Sequence, residues 1–90
     1  MAQAIVDPAE LRRFAQTLKK FNTELQDQVT ALGGQLMALS GSWRDQENIK
    51  FVEEFEQHVK GIGRFIEINN EHIPFLLRKA ERIEEYLEQR

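Results

Sequence analysis

The sequence holds no cysteine, two prolines, five glycines and a single tryptophan in 90 residues. Without cysteine there is neither a disulfide nor a thiolate zinc site to brace so short a chain, and nothing ties it to one redox compartment. No apolar run approaches the roughly 18 uninterrupted residues of a membrane span. The opening MAQAIVDPAE lacks the basic segment and apolar stretch of a cleavable signal peptide. Neither sign of charge prevails: 12 basic and 15 acidic residues leave a formal net charge of -3. The pairs Arg12-Arg13, Lys19-Lys20 and Arg78-Lys79 are interleaved with acids and read as solvated helix faces. No electrostatic footprint for nucleic acid or anionic lipid stands out.

Ninety residues make one domain at most, here spanning 1–90. At this length a chain buries only about 60 to 65% of the surface its unfolded form exposes. With the disulfide staple absent, self-association or a partner is the expected brace.

What is present is helical patterning. Asp7-Pro8-Ala9-Glu10 reads as a helix start, with Asp7 as N-cap and Pro8 at the first helical position. Leu11, Phe14, Leu18, Phe21, Leu25, Val29, Leu32, Leu36 and Leu39 then follow at spacings of three and four, which is one helical stripe. Gly33-Gly34 leaves the phase of that stripe intact at roughly 1 kcal/mol per glycine relative to alanine. Helix 1 is therefore expected over about 8–39. Ser40-Gly41-Ser42 reads as a corner: Gly41 suits a left-handed helix end, and Ser42 with Asp45 matches an S-x-x-D cap for helix 2.

Helix 2 is expected over about 43–88. Val52, Phe55, Val59, Ile62, Ile66, Asn69, Ile73, Leu76, Ala80, Ile83 and Leu87 repeat by strict threes and fours, flanked every seventh residue by Phe51, His58, Phe65, His72, Lys79 and Tyr86. A stripe this wide exceeds what a two-stranded seam needs. It predicts an all-α, antiparallel two-helix hairpin that dimerises into a four-helix bundle. The expected partner surface comprises Phe14, Leu18, Phe21, Leu25, Val52, Phe55, Val59, Ile62, Phe65 and Ile66. Folding back at Gly41 pairs positions whose numbers sum to about 82, which sets Pro8 opposite Pro74. The rest of helix 2 becomes an uncovered arm beyond a kink at Pro74, bearing Leu76, Leu77, Ala80, Ile83, Tyr86 and Leu87.

The same residues offer little chemistry. A di-metal bundle site needs Glu-x-x-His, but Phe55 and Asn69 stand three residues before His58 and His72. The two histidines lie about 21 Å apart along one helix and cannot grip one ion in cis. Were they to flank a seam, they could tune assembly near pH 6. Gly33-Gly34 and Gly61-x-Gly63 lie within helical periodicity and match no phosphate-binding loop. No nucleophile, acid and base converge, so no enzyme, metal or cofactor is expected. Asn69, at an inward position, either sets register or marks a wet stretch of core.

The corner carries a resemblance. A helix-corner-helix of this length with one tryptophan at the corner and an aromatic eight residues on, here Trp43 and Phe51, resembles the WXG family of small type VII secretion substrates. The opening IVDPAELRRFAQTL fits as well, and the likeness runs from about Ile5 to Phe65. The family's Trp-x-Gly is Trp43-Arg44-Asp45 here, an acid replacing the glycine. The family's tail signal, Tyr-x-x-x-Asp/Glu, finds Tyr86 followed by Arg90. The resemblance implies a hairpin that pairs with itself or a related chain and is folded in the cytoplasm before export. It further implies export without a cleavable signal, and action by binding, with a transport component as a further partner. The corner motif residues are then Ser42, Trp43, Asp45 and Phe51. The rival reading is a cytoplasmic adaptor or chaperone whose stripe holds a helix pair of a larger protein.

Overall fold

The computed structural model describes residues 6–89; the expectations that fall on Ile5 and Arg90 lie outside them. Two helices account for nearly all of it: α1, Pro8–Ser40, and α2, Gln46–Glu88, fold back on one another as an antiparallel hairpin. The Cα envelope measures 68 × 22 × 17 Å, a rod about as long as α2 itself, since 43 residues at 1.5 Å each span about 65 Å.

Each helix starts on an aspartate. The Asp7 carboxylate accepts from the Ala9 N–H at 2.9 Å, and Pro8 follows at the first helical position, where its missing N–H costs nothing. The Asp45 carboxylate accepts from the Asn48 N–H at 3.1 Å and starts α2. The corner thus differs from the sequence expectation in extent and chemistry: it runs through residues 41–45, and Ser42 is not the cap. The Ser42 hydroxyl instead donates back to the Leu39 carbonyl at 3.2 Å, helping to satisfy the end of α1. Gly41 is right-handed, with φ of -65°. A Cβ there would stand 3.2 Å from the Ala38 carbonyl oxygen, so close backbone approach, not a left-handed turn, is what favours glycine.

The longer corner shifts the register. Paired positions sum to 88 at Ser40 with Asn48, 92 at Asn22 with Asn70, and 96 at Arg12 with Glu84. The last of these ties brings the end of α2 alongside the start of α1. Side chains lean toward their helix N-terminus, so Arg12 and Glu84 reach toward one another along the rod. The expectation that α2 projects uncovered beyond Pro74 is therefore corrected. Ala80 is 0% exposed, Leu76 and Ile83 are half-buried, and α2 runs unbroken through Pro74.

Among the described residues the fully buried positions of the seam between the helices are small or polar apart from Ile66: Ala15, Asn22, Asn48 and Ala80. On α2 the seam follows Asn48, Val52, Phe55, Val59, Ile62, Ile66, Asn69, Ile73, Leu76, Ala80 and Ile83, all buried or half-buried. On α1 it follows Leu11, Ala15, Leu18, Asn22, Leu25, Val29, Gly33, Leu36 and Ser40. Four large residues of the expected stripe stand immediately before a small or polar one: Phe14 before Ala15, Phe21 before Asn22, Leu32 before Gly33, and Leu39 before Ser40. In each pair the small or polar member faces α2 and the large one is turned outward. Only Ala15, Ile66 and Ala80 are apolar and buried among the described residues, so the hairpin hides little of its apolar surface.

Candidate functional site: an open aromatic face

Two sets of outward residues lie on the same side of the seam. The α1 set is Phe14, Phe21, Leu32 and Leu39; the α2 set repeats every seven residues as Phe51, His58, Phe65, His72, Lys79 and Tyr86. Phe21 and Phe65 join them across the helices, with ring centroids 6.4 Å apart and planes at 88°, the edge-to-face arrangement that aromatic quadrupoles favour. Both rings remain about half exposed, as do Phe14, Leu32, Leu39 and Phe51. The result is a strip of aromatic and leucine side chains along the rod, interrupted on α2 by His58, His72 and Lys79.

At the corner end the strip closes on Trp43. Its backbone N–H donates to the Leu39 carbonyl at 2.8 Å, which holds the residue against the end of α1. Its half-buried ring packs 6.1 Å from Phe51, and Phe51 stacks in turn on Phe55 at 6.5 Å. Below this ladder the Asn48 amide donates to the Ser40 hydroxyl at 3.0 Å, and Arg44 donates to the Gly41 carbonyl at 2.8 Å. The corner is thereby fixed at both helix ends.

Of the residues expected to meet a partner, Leu18, Leu25, Val52, Phe55, Val59, Ile62 and Ile66 are wholly or partly covered by the chain's own other helix. Phe14, Phe21 and Phe65 stand open. Along the tail, Leu76 and Ile83 turn toward α1, whereas Pro74, Leu77, Tyr86 and Leu87 are exposed.

Asn22 is a seam residue that apolar spacing does not reveal. It is 3% exposed, donates to the Asn70 side-chain carbonyl at 2.9 Å and accepts from the Asn69 amide at 3.0 Å. These bonds satisfy a polar side chain that would otherwise be costly to bury. Its signal in the sequence is its place: Leu18, Asn22, Leu25 and Val29 keep the three-four spacing, but a pattern of large apolar residues passes over it.

Hydrogen bonding to Glu84 raises the Arg12 guanidinium further above its ordinary value, which only strengthens a charge it already carries. The pair is part-exposed, so it contributes registration more than stability. Among the described residues no group of three His, Cys, Asp or Glu could hold a metal ion, and no helix is long and apolar enough to cross a membrane.

A cysteine-free helical hairpin with tryptophan at its corner and an aromatic strip along one side defines a class of small helical-hairpin proteins. The chain belongs to the WXG100 family, proteins of 100 residues with WXG, which it matches over residues 3–86. Its fold is similar to that of the secreted protein EsxB from Bacillus anthracis strain Sterne. One crystal structure of EsxB, selenomethionine-labelled, aligns with a TM-score of 0.78 at 30% identity, covering 96% of this chain and 98% of that one. The wild-type protein in another crystal form aligns at 0.76 and 32% identity, covering 91% and 94%. A point variant of EsxB, with an alanine in place of a proline, gives 0.78 at 32% identity, covering 91% and 92%. No match was found among curated protein sequences.

Proposed function

We propose that the chain acts by binding rather than by catalysis. It pairs through its open aromatic face with a second copy or a related hairpin to form a four-helix bundle. In that folded state it leaves the cytoplasm through a type VII-like secretion system without a cleavable signal peptide. Membership of the WXG100 family and likeness to a secreted protein support export.

One observation carries the pairing. The isolated chain exposes 7488 Å², whereas a compact monomer of 10.6 kDa exposes about 5,500 Å². The surplus of about 2,000 Å² per chain exceeds the roughly 800 Å² that each partner contributes to a standard interface. Its Cα radius of gyration, 20.2 Å, likewise exceeds the roughly 12 Å of a compact chain this long. The Phe14, Phe21, Phe51 and Phe65 strip is where apolar area lies ready for burial.

Sedimentation equilibrium of the purified chain tests the pairing, with a dimer expected at micromolar concentration. A stable, well-folded monomer there removes self-pairing and leaves only a different hairpin as partner. A folded monomer that also fails to pair with co-expressed related hairpins refutes the pairing altogether. Export is tested by following the chain in the culture medium while a cytoplasmic marker stays inside the cells.

A further inference from the structure

On the opposite side of the seam from Phe21 and Phe65, near the corner, lies a separate apolar groove of about 810 Å³. Val52 and Phe55 form its base, Met37 and Ile49 its walls, and Gly33 and Gly34 open it along α1. Met37 is 78% exposed and Ile49 58%, the two most exposed of the large aliphatic side chains among the described residues.

The glycines sharpen the observation. A Cβ at Gly33 would meet the Phe55 ring at 4.0 Å, ordinary contact, and one at Gly34 would meet nothing within 4 Å. Neither glycine is required by packing inside the hairpin, yet each costs the helix roughly 1 kcal/mol relative to alanine. What they leave is space on the outer surface, beside the exposed Met37 and Ile49 side chains. Gly61 and Gly63 also lack neighbours but do not line the groove.

Charge then selects the occupant. Glu53 and Glu56 are the only charged residues lining the groove. From Gln28 to Gln57 there are five acids (Asp45, Glu47, Glu53, Glu54, Glu56) and two bases (Arg44, Lys50), a net of -3; the rest of the chain carries ten of each. All of the net charge therefore sits in the third of the chain around the corner. A second copy docked here by a two-fold contact would set one acidic rim against another, which is unfavourable.

We infer that this groove is a docking site for an amphipathic helix of a different protein, one that presents an apolar ridge flanked by lysine or arginine. The lining of α1 from Thr30 to Ser40 gives room for about three helical turns. Apolar side chains of the incoming helix fill the notch over the glycines, and its basic flank meets Glu53 and Glu56. The groove does not use the aromatic strip, so its occupation is independent of pairing and compatible with it.

The test uses two synthetic helical peptides with the same leucine ridge, one flanked by lysines and the other by glutamates, titrated into the isotopically labelled full chain. The lysine-flanked peptide should shift amide resonances at Gly33, Gly34, Ile49 and Glu56 and bind at least tenfold more tightly than its acidic twin. Gly34→Leu, which fills the notch where the hairpin has room, should weaken that binding at least tenfold while melting no lower than the parent. The Glu53→Gln, Glu56→Gln double variant should reduce the preference for lysine over glutamate flanks. Equal binding of the two peptides, or shifts confined to the Phe21 and Phe65 side, overturns the inference. So does a Gly34→Leu chain that loses self-association but keeps peptide binding, because the occupant would then be a second copy.

Discussion

Phe21→Ala removes a ring that is 46% exposed in the single chain and paired edge-to-face with Phe65. Within one hairpin the loss is modest, about 0.5 to 1.5 kcal/mol for the aromatic pair plus the half of the ring already covered. Pairing adds the open half. On a phenylalanine of about 200 Å², that half is about 90 Å², worth about 2 kcal/mol at about 25 cal/mol per Å². A two-fold homodimer uses the ring twice, so its dissociation constant should rise roughly a thousand-fold. A pair with a different hairpin uses it once and should weaken by a few tens. Met37→Ala is the control, since it removes an exposed side chain on the other side of the seam. Sedimentation equilibrium over a range of concentrations reads the constant, and urea unfolding reads the hairpin itself. A shift below tenfold for Phe21→Ala, or an equal shift for Met37→Ala, refutes the assignment of the aromatic strip as the pairing surface.

Asn22→Ala should cost about 2 to 3 kcal/mol in urea unfolding, for two cross-helix bonds and the space the side chain leaves. Asn22→Leu should recover most of that through apolar burial yet broaden the α2 amide resonances, because the directional tie to Asn69 and Asn70 is gone. Trp43→Ala should lower stability by about 1 to 2 kcal/mol by removing a half-buried ring from Phe51, measured by thermal melting. A larger fall in export or binding than that loss explains would assign the indole to recognition as well. Pro74→Ala should raise stability by about 1 to 3 kcal/mol, since it supplies the N–H that the Asn70 carbonyl lacks within α2 and relieves ring crowding.

The helices were legible from spacing, but the hairpin's inner face was legible on only one of them. On α2 the expected three-four stripe and the seam coincide, from Val52 to Ile83. On α1 only five of the nine stripe residues lie in the seam; Phe14, Phe21, Leu32 and Leu39 stand one residue away, because Ala15, Asn22, Gly33 and Ser40 take the inner places. A rule that counts only large apolar residues finds the centre of all the apolar surface, and here that surface is divided between α2 and the outside. Register failed for a local reason. Ser42 and Asp45 satisfy the same capping pattern, and a cap three residues later lengthens the corner and moves each paired position along α2. The expected arm beyond Pro74 vanished with that shift.

The inner and outer halves of α1 can be understood together. Small or polar residues at four α1 seam positions leave the phenylalanine or leucine beside each outside, so the hairpin gains less from its own contact than those large side chains would bring. The outward members of those four pairs, Phe14, Phe21, Leu32 and Leu39, then hold in reserve apolar area that association would hide. Had Phe14 and Phe21 exchanged places with Ala15 and Asn22, the single chain would bury more and gain less from a partner. On the proposed pairing, the order within each pair shifts stability from the monomer to the assembly, which would make stability dependent on protein concentration. The Asn22, Asn69 and Asn70 bonds answer the accompanying risk: a seam that fully buries few apolar side chains admits slippage, and a buried amide with two partners penalises other registers. On the proposed pairing, a seam that buries little and a directional polar tie belong to one arrangement, in which the hairpin is aligned before a partner stabilises it.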